Sequence, residues 1–250
     1  MRSLLLGGRL VNAQKFSDLQ APQLLLIEDG SGAITASDSQ PFDVVLRDKL
    51  EIYTAEINQI FRRERFGIVA GALWQGGDFD FANSLSNSPL PEFFLPSVAA
   101  KYREPFERFT GYGYLTVEPV DKLWLIGGVG YDRIKMPTNF RSLPQSGGAE
   151  ERDLVGPKAA LIWSPLPRAT LRGIYSRSLC GVSLDESYRL EPTQLAGFAQ
   201  AFRTVISESL VGSVAAPEYE VFGLALDLKL GAKTFGGVQA ERINSEVART

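Results

Sequence analysis

The chain has no histidine and a single cysteine, Cys180. Without histidine there is no Ser–His or Cys–His catalysis, no histidine-bearing zinc site and no histidine pH switch. One cysteine forms no intrachain disulfide, and two methionines add little for soft metals. Cys180, in Ser-Leu-Cys-Gly-Val, reads as a small packed residue at a strand end. No apolar run approaches the ~18 residues of a membrane-crossing helix; uniform stretches such as Leu4–Leu6 and Leu24–Ile27 are far too short. The net charge of −3 gives no basic footprint for nucleic acid. Arg62, Arg63 and Arg65 cluster, but at a turn. An enzyme is not expected, and neither is a cofactor.

What is present is a rhythm. Hydrophobic-alternating segments are joined tightly at Arg62–Arg65, Pro119–Lys122, Pro165–Arg168 and Gly231–Lys233. Between them lie long polar stretches, roughly Gly76–Pro105, Arg133–Asp153 and Ser178–Pro217. Short turns on one rim and long loops on the other are the habit of an antiparallel barrel in a bacterial outer membrane. A mean hydropathy of −0.04 fits, because only every second residue of such a barrel faces lipid.

Period-two alternation marks strands with one apolar and one wet face. It predicts Ser3–Val11, then a long loop over Asn12–Gln40. Phe42–Phe61 follows, with Tyr53, Ala55, Ile57 and Phe61 on one side and Thr54, Glu56 and Asn58 on the other. A helix over Lys49–Arg63 is the competing assignment. Phe66, Ile68, Ala70, Ala72 and Trp74 share a face, as do Leu123, Leu125, Gly127, Val129 and Tyr131. Phe106–Glu118, Val155–Ser164 and Ala169–Leu179 are further strands; Ala159, Leu161 and Trp163 share a face in the second. The cleanest stripe is Phe222, Leu224, Leu226, Leu228 and Leu230, opposite Asp227 and Lys229. Phe235–Ile243 closes the series. The expectation is an all-β fold, a partial antiparallel transmembrane β-barrel of about nine strands, forming one barrel segment over residues 1–250.

Aromatic residues sort onto two levels. Phe61, Phe66, Trp163 and Phe235 lie beside short turns, and Trp74 and Tyr131 lie near the opposite rim. Two girdles at the lipid–water interfaces are the expected reason; filling a soluble core is the alternative. The inward polar set Glu56, Asn58, Arg172 and Asp227 either lines a lumen and meets a solute or is hydrogen-bonded filler. Gly127-Gly128-Val129-Gly130 lacks the context of a phosphate loop and reads as a glycine-rich strand. Asp43, Asp48, Asp78 and Asp80 lack calcium-loop spacing and read as solvated loop acids. Glu150-Glu151 and Asp185-Glu186 could be paired carboxylates, but nothing fixes their separation.

Two hairpins resemble those of TonB-dependent receptor barrels. One runs from Tyr112-Gly113-Tyr114 through Glu118-Pro119 and Leu123-Trp124-Leu125 to Gly127-Gly128-Val129-Gly130-Tyr131-Asp132. The other runs from Pro157-Lys158-Ala159 through Trp163-Ser164-Pro165-Leu166-Pro167 to Tyr175-Ser176-Arg177-Ser178, with Arg189-Leu190-Glu191-Pro192 after it. The resemblance covers Phe106–Pro192. It implies an outer-membrane location, lipid contact, passage of an unknown small solute and a periplasmic partner, either an energising one or a repeat domain. No plug-like segment and no terminal aromatic strand are seen. The N-terminal Met-Arg-Ser-Leu-Leu-Leu-Gly-Gly is too short in apolar core for a secretory signal. A fragment of a longer outer-membrane protein is therefore expected. An anchoring or export barrel and a soluble barrel with an apolar ligand are the rivals.

Overall fold

A computed structural model describes residues 1–87, 98–139, 146–180, 189–200 and 216–246. Among the described residues there are eleven strands: β1 (Arg2–Glu28), β2 (Ile34–Arg62), β3 (Phe66–Asn87), β4 (Val98–Val120), β5 (Leu123–Asn139), β6 (Ser146–Leu166), β7 (Ala169–Leu179), β8 (Gln194–Leu195), β9 (Phe198–Ala199), β10 (Glu218–Lys229) and β11 (Phe235–Glu246). Nine form one sheet in the order β1-β2-β3-β4-β5-β6-β7-β10-β11, and β8 and β9 form a separate small hairpin. Every pairing is antiparallel. The chain is all-β and its sheet is that of a partial barrel.

The strands outrun the sequence reading. Asn12–Gln40 is not a loop but the distal half of the β1–β2 hairpin. The polar stretch from Gly76 is strand to Asn87, and the one after Arg133 is strand to Asn139. Within these extensions Phe79, Phe81, Ile134 and Met136 are buried. Asp78, Asp80, Arg133 and Lys135 alternate with them. The alternation persists, but its outer half becomes charged, so it resembles a loop. The helix over Lys49–Arg63 does not form; that segment is β2.

The short turns at 63–65, 121–122, 167–168 and 230–234 lie on one rim. Among the described residues one tight join sits on the other: Asp29–Ala33, between β1 and β2. Its Asp29 carboxylate accepts the Ser31 hydroxyl and the amides of Ser31 and Ala33. The Ser31 hydroxyl first, then these amides, hold that carboxyl below its ordinary range.

Pairing is staggered. Phe66 leaves the first turn opposite Val117, yet β4 runs on to Val120. Leu123 then pairs with Trp163, yet β6 runs on to Leu166. Each hairpin starts a few residues lower than the last, which is the shear that tilts strands in a barrel.

One consistent outer face results. Partners across an antiparallel pair share a face, and Ile57, Ile68, Leu115, Val129, Trp163, Phe222 and Leu224 are all exposed. From Ala55 to Phe61, Phe66 to Trp74, Phe109 to Val117, Leu123 to Tyr131, Val155 to Trp163, Ala169 to Tyr175 and Phe222 to Leu228, no outward residue is charged. Most of these stretches match the ~9–11 residues of a tilted membrane-crossing strand. Just beyond the band, outward charges pair: Arg9 with Glu51 at 2.7 Å, Arg103 with Asp78 at 2.7 Å and Arg133 with Glu151 at 2.6 Å.

Candidate functional site: a polar inner wall and its strap

The inner face of the same strands carries the opposite chemistry. Inward positions on β2, β4, β5 and β6 bring together Glu56, Asn58, Arg108, Thr110, Tyr112, Tyr114, Asp132 and Lys158, all buried. The rings lie close to the wall because glycines flank them. A Cβ at Gly71 would stand 2.4 Å from the Tyr112 hydroxyl, and one at Gly128 would stand 2.6 Å from the Tyr114 ring.

A strap, Arg189–Gln200, from the β7–β10 connection lies against this wall. Its first half is held by polar contacts. Glu56 accepts the backbone N–H of Leu190 at 2.6 Å and of Glu191 at 3.1 Å. The Tyr112 hydroxyl also donates to Glu56, at 2.8 Å. Asn58 donates to the Leu190 carbonyl at 3.0 Å and to Tyr112 at 2.9 Å. The Glu191 carboxylate accepts from the Lys158 ammonium at 2.9 Å, from the Tyr114 hydroxyl and from Arg189. Beside it, Arg108 reaches Asp132 at 3.0 Å and the Leu179 carbonyl at 3.1 Å, and Thr110 donates to Asp132 at 2.6 Å. Buried charges need such partners.

The second half of the strap is the β8–β9 hairpin. Its tip is Ala196–Gly197, with φ of 50° and 83°. Arg172 forks onto Asp227 at 2.6 and 3.2 Å and donates to the Ala196 carbonyl at 2.9 Å. A Cβ at Gly197 would stand 2.2 Å from that guanidinium, so the tip needs glycine for both its backbone and its contact. Leu195, Ala196 and Phe198 join Tyr112, Tyr114, Ile174, Cys180 and Val221 in one apolar cluster.

All four inward residues singled out from sequence meet at this strap. Glu56 and Asn58 touch it at Leu190, Arg172 touches it at Ala196, and Asp227 holds Arg172. Sequence reasoning missed Tyr112, Tyr114, Lys158, Arg189 and Glu191 as a unit. The signal was their parity: Tyr112 and Tyr114 alternate with outward Gly111, Gly113 and Leu115.

Of the aromatic set, Phe66, Trp74, Tyr131 and Trp163 are exposed on the outer face, and Phe61 is half-buried against Phe66, ring centroids 5.6 Å apart. Phe235 departs from expectation. It pairs with Lys229 and so shares the face of Asp227, not that of Leu228. The weak alternation of β11 hid this. Asp78 and Asp80 are strand residues facing Arg103 rather than loop acids. Glu150 pairs with Arg152 and Glu151 with Arg133 on opposite faces, so they do not converge. Asp185-Glu186 lies outside the described residues.

No protein-family model matches the chain, and no curated protein does. Solved structures do. The copper transporter OprC matches with a TM-score of 0.50 at 13% identity, over 80% of this chain and 31% of that one. BauA, the ferric preacinetobactin receptor from Acinetobacter baumannii, matches with a TM-score of 0.53 at 14% identity, over 96% of this chain and 34% of that one. Both are TonB-dependent receptors of the outer membrane, and the chain spans about a third of their length. At this identity the likeness is one of fold: the chain has the architecture of a section of a TonB-dependent-receptor-like outer-membrane β-barrel.

Proposed function

We propose that this chain is part of the wall of an outer-membrane barrel that takes up a small solute, its outer face set in lipid and its long rim contributing recognition. One observation carries the reading. The same strands present a charge-free outer band and an inner face of buried, hydrogen-bonded ions. A soluble barrel with an apolar ligand would place these the other way round. In this reading Phe61, Phe66 and Trp163 form the girdle at the short-turn rim, and Trp74 and Tyr131 the one at the opposite rim. An energising partner would meet the short-turn rim from the periplasm.

A structural or anchoring barrel is the second reading. The strap favours it, because a wall that binds its own loop leaves less room for cargo. Membrane setting is tested by fractionation and circular dichroism in buffer and in detergent micelles. Outer-membrane recovery with β structure that depends on detergent is the expected result. A soluble, monomeric, β-rich protein would overturn the reading.

A further inference from the structure

We propose that the Arg189–Gln200 strap is a releasable closure of the lumen, latched at Glu56 and Lys158. The inference rests on the solute-passage reading.

The chemistry of the contact separates the strap from permanent filling. Farther out on the same inner face, Leu50, Ile52, Phe79, Phe81, Phe106, Ile134 and Met136 form an apolar cluster that water cannot replace. At Arg189–Glu191 the strap is held to the wall by hydrogen bonds and an ion pair. Water or a polar solute can take over each of these bonds.

The charges also divide cleanly. The latch segment carries one cation and one anion, Arg189 and Glu191, which pair with each other; the wall carries Lys158, which pairs with Glu191, and Glu56, together with the pairs Arg108–Asp132 and Arg172–Asp227. Each side has balanced charge by itself, so parting strands no net charge on either. What opposes parting is the second half of the strap. Leu195 is buried and Phe198 fully so, and Arg172 grips the tip. Their burial makes the closed arrangement the resting one.

The strap touches β2 through Glu56 and Asn58, β4 through Tyr114, β6 through Lys158 and β7 through Arg172. An element that bridges so many staves covers this stretch of the inner wall and narrows the space that the wall bounds.

The test uses the full protein in cells, with Cys180→Ser removing the native thiol. Asn58→Cys places a thiol beneath the strap, and its reaction with a membrane-impermeant maleimide reads strap position. Glu56→Gln with Glu191→Gln then removes the latch charges at constant shape. Labelling is expected to rise about tenfold or more, the ratio for losing one hydrogen bond to a charged group. Entry of vancomycin, a large polar antibiotic, is expected to rise with it. Unchanged labelling overturns the latch. Increased labelling without entry keeps the latch and overturns the passage reading. Antibiotic entry that is already high in the unlatched and the native protein alike overturns closure while leaving passage intact. If the double variant does not reach the membrane, Lys158→Gln is read in the same way.

Discussion

β4 shows two environments along one strand. Its outward residues are Phe109, Gly111, Gly113, Leu115 and Val117; its inward ones are Arg108, Thr110, Tyr112, Tyr114 and Thr116. In the outward set Phe109 and Leu115 are exposed and Gly111, Gly113 and Val117 half-buried, an apolar surface that suits a lipid neighbour in the proposed setting. The inward set is hydrogen-bonded almost throughout. Burial therefore means something different on each side. In the proposed setting the solvent outside is apolar and a charge there is the error; inside, the filling is polar and an unpaired charge is the error.

The difference can be broken hardest from the inside. Glu191→Leu would leave Arg189 and Lys158 side by side without their shared carboxylate. A loss of about 3–5 kcal/mol is expected for breaking a buried pair, read by urea unfolding in detergent micelles. Next comes the outer face. Ile57→Arg places a charge near the middle of the apolar band and should cost about 2–4 kcal/mol in lipid vesicles. Gly197→Ala should cost about 1–3 kcal/mol, the range for a strained backbone position, and should loosen the Arg172 contact. The same urea unfolding in detergent micelles reads the loss. Smallest of all, Arg103→Ala removes an ion pair in the solvated part of the outer face, and the same unfolding curve should not move measurably.

How much could be read from the chain follows from the same two environments. The sheet strands were legible, and so was outward parity wherever the contrast between an apolar and a polar face is strong, as in Leu123–Tyr131 or Phe222–Leu228. Strand ends were not. Beyond the band the outer residues become Asp78, Asp80, Arg133 and Lys135, so a regular strand carries the composition of a loop. The site was half legible. Glu56, Asn58, Arg172 and Asp227 stand out as polar residues on otherwise apolar strands. Their partners do not, since Leu190 lies 134 residues from Glu56 in the chain. A strap has no periodicity to betray where it docks. Lys158 and Tyr114 were visible within the receptor-like hairpins, but a resemblance names a hairpin and not the ion that a side chain will meet.

The distal β1–β2 hairpin has a consequence for what an approaching object meets first. The apolar band on β2 begins near Tyr53, but the strand starts at Ile34. That extra stretch is roughly 60 Å of strand at ~3.3 Å per residue, or about 45 Å of height at a tilt near 40°. The Asp29–Ala33 turn is therefore the summit of the described molecule, carried above its neighbours like a mast. In the proposed outer-membrane setting, an object arriving from the long-loop rim would meet this two-stranded blade before the other described residues.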